Sequence, residues 1–168
     1  MFTTKKNGFT MIELILVIVI LGILAAIAVP KFAATRTDAQ ISKGRSDISA
    51  LRSAIVSERQ SRLIKGDHDF INRLDNDVDA NTEDVTIFDS NESLSATSPK
   101  LLMYGLKTKD APGHWLKTDD NEYTYKFGSA SVTFTYYPSD TTDDNDDFHP
   151  AGSFDCDHTD ENCKKLTQ

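Results

Sequence analysis

From Phe9 to Val29 the chain is apolar on every face that a helix would present, 21 residues in which Glu13 is the single ionisable side chain. At about 1.5 Å per residue such a helix covers the ~30 Å hydrocarbon core of a bilayer. Pro30 follows, but the helical pattern resumes at once, which predicts a bend rather than a stop. From Lys31 to Lys65 the pattern turns amphipathic. Ala34, Ile41, Ile48, Leu51, Ile55 and Leu63 recur at spacings near three, four and seven, predicting an apolar stripe that faces a sheet. Arg36, Lys43, Arg45, Arg52, Arg59 and Arg62 are expected on the opposite side as a solvated basic surface, and Gly66-Asp67 supplies a stop.

Beyond Gly66 the period shortens. Phe70, Ile71 and Leu74 have the spacing of one or two helical turns, and Val85 to Phe88 reads as a short strand. Leu101 to Leu106 is apolar, Pro112-Gly113 stands in type II order, and His114-Trp115-Leu116 follows. Glu122 to Phe127 and Val132 to Tyr137 alternate strictly, separated by Gly128-Ser129-Ala130-Ser131, which predicts an antiparallel meander. Trp115, Tyr123, Tyr125, Phe127, Phe134 and Tyr136 are read as core and cross-strand pairs rather than as a ligand platform. The predicted fold is α+β: a long kinked N-terminal helix, its first half membrane-spanning, packed on an antiparallel sheet of about four strands.

Charge adds an orientation. Lys5 and Lys6 precede the apolar run and no carboxylate does, so residues 1–8 are expected in the cytoplasm and everything after Pro30 across the membrane. Residues 1–66 carry a net +6 and residues 67–168 a net −14. A head this acidic argues against direct nucleic-acid binding, since phosphate contacts need Lys and Arg. In an exported chain Cys156 and Cys163 read as a disulfide. A zinc reading would recruit His149 and His158, but these lack finger spacing. Asp75 to Asn81 alternates oxygens like a calcium loop, yet Ala80 replaces the turn glycine and Thr86 the bidentate Glu, so it is read as loop. No Gly-x-Ser-x-Gly elbow, phosphate-binding Gly-Lys-Ser/Thr loop or His-Glu-x-x-His helix is present, and no enzymatic activity is expected.

Ala26 and Ala28 mimic the small-residue end of a cleavable secretory signal. Glu13 argues otherwise. A carboxylate within an apolar span costs a few kcal/mol and usually marks a partnered functional site. A cation at its depth would arise if the chain were cut after Gly8, freeing an α-amino group on Phe9, and the amine of a neighbouring subunit is the more natural partner.

Gly8-Phe9-Thr10-Met11-Ile12-Glu13-Leu14, with the basic leader before it and Pro30 after the apolar run, resembles the class III signal of type IV pilins and type II secretion pseudopilins. The resemblance covers Lys5 to about Lys31. It implies cleavage between Gly8 and Phe9 by a prepilin peptidase, N-methylation of Phe9, and a helix retained as the core of a helical filament. It divides the chain into a leader (1–8), a transmembrane and filament-core helix (9–29), its amphipathic continuation (30–66) and an exported acidic head closed by a C-terminal disulfide loop (67–168). It implies a structural subunit anchored in the bacterial inner membrane, N-terminus cytoplasmic and head periplasmic. Its partners would be copies of itself, related minor subunits and an inner-membrane assembly platform driven by a cytoplasmic ATPase. The leading expectation is a type II secretion pseudopilin in a periplasmic pseudopilus. The alternatives are a pilus subunit for adhesion, motility or DNA uptake, and a tethered module that never polymerises. Major pseudopilins also bind calcium near the C-terminus, which makes Asp143, Asp144, Asp146 and Asp147 candidate ligands, although this run lacks glycine-rich turns and a solvated acidic loop is the competing reading.

Overall fold

The computed structural model describes residues 8–90, 100–142 and 147–168, apart from the side chains at 30, 33 and 34. Its first helix, α1, runs Met11–Ile64 and continues through Pro30. Two compact units divide the chain, Met1–Asp38 and Ala39–Gln168, and α1 contributes to both.

In the second unit α1 lies against a four-stranded antiparallel sheet. Strands β3 (Trp115–Asp119), β4 (Glu122–Phe127) and β5 (Ala130–Tyr137) form the expected meander, and β8 (Ser153–Asp155) pairs with the far edge of β5. The Pro112-Gly113 turn is closed by His114 N–H donating to Ala111 O, as type II order requires. All six predicted aromatics are buried, at no more than 3% exposure. Phe88 and Phe154 complete the cluster, with Trp115 edge-on to Phe88 at 5.5 Å and Phe134 stacked on Phe154 at 5.3 Å.

The helix presents Gly44, Ile48, Leu51 and Ile55 to this core. Gly44 permits the close approach, because a Cβ there would lie 2.6 Å from the Tyr125 ring and 2.9 Å from Leu166. Continuing the seam by seven from Ile55 reaches Arg62, which is buried, and leaves Leu63 exposed at 43%, contrary to the expected stripe. Arg62 is held by Glu58 at 3.4 Å and Asp67 at 2.9 Å. The helix ends as predicted at Gly66 (φ +85°), with Asp67 N–H bonding Arg62 O and Gly66 N–H bonding Leu63 O.

Arg36 is exposed as expected, whereas the basic residues after it also bind the head. Lys43 donates to Gly113 O, Arg45 to Lys165 O, and Arg52 to Phe154 O and Asp155. Arg59 lies over the Phe70 ring at 4.7 Å. The long stems reach from the helix to the turn at Gly113, to β8 and to α2, so these cations fasten the head while Lys43 and Arg45 stay exposed.

One predicted local element yields to tertiary contacts. Residues 70–74 form no helix, because carbonyls a helix would use internally are taken elsewhere: Ile71 O by the Tyr136 hydroxyl, Asn72 O by Asn121 and Leu74 O by Ser90 N–H. Of Leu101 to Leu106 only its end enters a strand, β2 (Leu106–Lys107), paired with β1 (Thr86–Ile87), and Met103 and Tyr104 face outward. A short hairpin of β6 (Thr141–Thr142) and β7 (Phe148–His149) brackets the acidic run. The terminal helix α2 (Glu161–Thr167) buries Cys163 and Leu166.

Candidate functional site

The start of α1 is built from Thr10 and Glu13. Thr10 Oγ1 accepts from Glu13 N–H at 3.3 Å, and the Glu13 carboxylate accepts from Thr10 N–H at 3.4 Å. This reciprocal capping box satisfies two donors that a helix otherwise leaves open at its N-terminus, and it places a negative charge at the positive end of the helix dipole. Thr10 is missing from the residues singled out in the sequence, although Thr-x-x-Glu ahead of an apolar run is the capping-box pattern. Gly8 and Phe9 precede the helix and are exposed, Phe9 at 79%. The Glu13 carboxylate holds one long hydrogen bond, so most of its acceptor capacity is open to a further donor.

Behind the cap stands the apolar surface. Met11–Val29 is long and apolar enough to cross a membrane, and none of it is buried. From Leu14 to Val29 the large apolar side chains are 45 to 66% exposed on all sides of the helix. A water-facing surface of this kind is unfavourable by about 25 cal/mol per Å². It therefore requires lipid or other apolar helices around it.

The predicted cysteine pair is a disulfide joining Cys156 and Cys163. Asp143, Asp144 and Asp146 lie outside the described residues; Asp147 is exposed. Among the described residues no group of three or more His, Cys, Asp or Glu side chains is placed to hold a metal ion. At the calcium-like loop, Asp75 is buried and already engaged by the Lys117 ammonium at 3.2 Å, the Tyr123 hydroxyl at 2.6 Å and Val78 N–H at 3.0 Å. An internal cation thus fastens this loop to the sheet, a role no local sequence spacing announces.

Burial sets the protonation of the head's interior. It pushes the Tyr123 hydroxyl up, helped by the Asp75 carboxylate, and pushes the Tyr125 hydroxyl up to about 12, helped by Asp47. Asp47 is itself raised by burial, against the lowering effects of the Trp115 indole N–H and Lys43. Asp67, at the end of α1, is lowered, chiefly by the backbone N–H of Asp69 and by Arg62.

The chain is thus α+β, its first helix opening on a capped Glu and an exposed apolar stretch. Residues 3–29 match the family described as the prokaryotic N-terminal methylation motif. The chain is 44% identical over 52 residues to a fimbrial protein of Pseudomonas aeruginosa, covering 31% of this chain and 34% of that protein. It is 43% identical over 53 residues to type II secretion system core protein G of Escherichia coli, covering 32% and 37%. To the type IV major pilin protein PilA of Myxococcus xanthus it is 42% identical over 53 residues, covering 32% and 24%. The matches span about a quarter to a third of these relatives. No solved structure gives a significant match. On its N-terminal segment the chain is similar to type IV pilins and type II secretion pseudopilins.

Proposed function

We propose that this protein is a structural subunit of a type IV filament, and specifically a type II secretion pseudopilin that polymerises in the periplasm. The observation that carries the reading is the apolar first part of α1, exposed on all sides, with Glu13 as its single ionisable residue. A prepilin peptidase cuts between Gly8 and Phe9 and methylates the new Phe9 amine. Before assembly the subunit spans the inner membrane, its head outside, with Glu13 capping its own helix. On joining the filament, the open acceptor capacity of Glu13 takes the amine of a neighbouring Phe9. The apolar side chains exchange lipid for one another, so leaving the membrane costs little in apolar exposure. Pro30 removes one backbone donor and lets the helix bend. An inner-membrane platform with a cytoplasmic ATPase supplies the work.

The match to core protein G supports the pseudopilin assignment. A pilus subunit is the second reading, favoured by the disulfide-closed C-terminal end and by fimbrial relatives matching at similar identity. Glu13→Ala tests the filament account: processing at Gly8-Phe9 is retained, scored by N-terminal sequencing, and filaments are lost, scored by shearing. Normal filaments from the variant would end the account. The location of wild-type protein separates the two readings. Mature chains in sheared surface fibres make it a pilus subunit. Retention in the envelope, with secretion lost on deletion, makes it a pseudopilin.

A further inference from the structure

The disulfide has unequal ends. Cys163 is fully buried, whereas Cys156 is partly exposed. Within the closed loop His158 sits with Nδ1 at 3.9 Å from Cys163 Sγ and Nε2 at 3.0 Å from Asp155 Oδ2. Asp155 is held in turn: its Oδ1 accepts from Arg52 Nη2 on α1 and from Cys156 N–H, both at 2.9 Å. The Asp155 carboxylate, accepting from Nε2–H, fixes the ring so that Nδ1 faces the sulfur. When the imidazole takes up a second proton, that proton lies on Nδ1 and points at Cys163 Sγ.

Thiol–disulfide exchange is governed by which sulfur can be reached and by how well the departing sulfur carries negative charge. We propose that Cys156–Cys163 is an exchange site for a dithiol, with Cys156 the sulfur attacked and Cys163 the leaving group, stabilised by His158. One thiolate of the dithiol attacks Cys156 Sγ; the S–S electron pair departs with Cys163 as a thiolate paired to the His158 imidazolium. The second thiolate of the dithiol then attacks the mixed disulfide and releases Cys156. The dithiol is oxidised by two electrons, and the protein carries two reduced cysteines. In the reverse sequence the Cys156 thiolate attacks a disulfide donor and forms the mixed disulfide; the Cys163 thiolate then attacks Cys156 Sγ and expels the donor as a dithiol.

Reduction loosens the loop without releasing the whole end. Leu166 remains packed near Gly44 and Tyr125, and Lys165 O accepts from Arg45. The charged side chains that share a pocket with His158 are Asp155 on β8 and Arg52 on α1; Thr167 on α2 and Gln168 after it add no charged side chain. Asp157 and Asp160 belong to its own loop.

The experiment equilibrates full-length protein in detergent with graded mixtures of reduced and oxidised dithiothreitol, alkylates free thiols and weighs the products. His158→Gln and His158→Phe are expected to shift the equilibrium about tenfold toward the disulfide, about 30 mV. Both should also flatten the pH dependence of that equilibrium, since no ionisable imidazole then faces the departing sulfur. His158 is 56% exposed, so both variants keep the oxidised fold, checked by circular dichroism. Brief reaction of the wild type with glutathione is expected to place the trapped adduct on Cys156. An adduct mainly on Cys163, or variants with wild-type equilibrium and pH profile, overturns the proposal.

Discussion

Leu16 and Leu51 stand on the same helix and meet opposite fates: Leu16 is 58% exposed and Leu51 fully buried. The difference lies in their neighbours. Around Leu16 every face is apolar, so no orientation of the helix shields it within one chain. Around Leu51 the apolar positions form one seam, and a sheet of aromatic side chains covers it. A uniformly apolar helix leaves its partners undefined, whereas a striped one specifies a single packed arrangement. The first suits a segment surrounded by lipid or by other apolar helices; the second suits a packed head.

That contrast is broken most severely at the buried ion pair. Lys117→Met leaves the Asp75 carboxylate buried without its cation and is expected to destabilise the head by about 3–5 kcal/mol in urea unfolding. A loss below about 1 kcal/mol would show that other contacts fasten the loop. The paired leucines come next. Leu51→Ala should cost about 2–5 kcal/mol, while Leu16→Ala leaves the head's unfolding midpoint in detergent unchanged within about 0.5 kcal/mol. Equal effects would erase the distinction between the regions.

Gly152→Ala is a smaller perturbation. Its φ is +79° and a Cβ would lie 2.1 Å from the Phe70 ring, so a loss of about 1–3 kcal/mol is expected by thermal melting. Tyr125→Phe removes the hydroxyl that donates to Gln40 O at 2.6 Å and should cost about 1 kcal/mol at neutral pH. It also changes the alkaline limb. The folded Tyr125 value is raised to about 12, so its contribution is fully present below the ordinary tyrosine value of about 10 and is lost as pH rises toward about 12. The variant's stability should fall less steeply over that interval, with Tyr123 supplying the remaining slope.

Much of the fold is legible because its signals are local. The apolar run, the Gly66 stop, the Pro112-Gly113 turn and the alternation from Glu122 to Tyr137 each specify backbone geometry within a few residues. Thr10-x-x-Glu13 is equally local, and the helix cap follows from it. The remainder depends on distant partners. Nothing near Ser153–Asp155 says that it completes the sheet against β5, and nothing near Arg45 or Arg52 says that their donors find carbonyls more than a hundred residues away. Spacing alone placed Leu63 in the stripe; the seam from Ile48 through Ile55 instead runs on to Arg62, whose charge is tolerated because Glu58 and Asp67 meet it. Residues 70–74 have helical spacing, but the sheet competes for their carbonyls and prevails.

The single tryptophan of the chain, Trp115, lies at the centre of the head, 1% exposed, its indole N–H donating to Asp47 at 3.1 Å and its ring against Phe88, Tyr125 and Phe134. The protein therefore carries one built-in indole, in the unit Ala39–Gln168 and absent from the apolar stretch. Its emission should report the state of the head whether subunits are dispersed in micelles or joined in fibres, so a single optical signal can follow whether assembly disturbs the head, without a label.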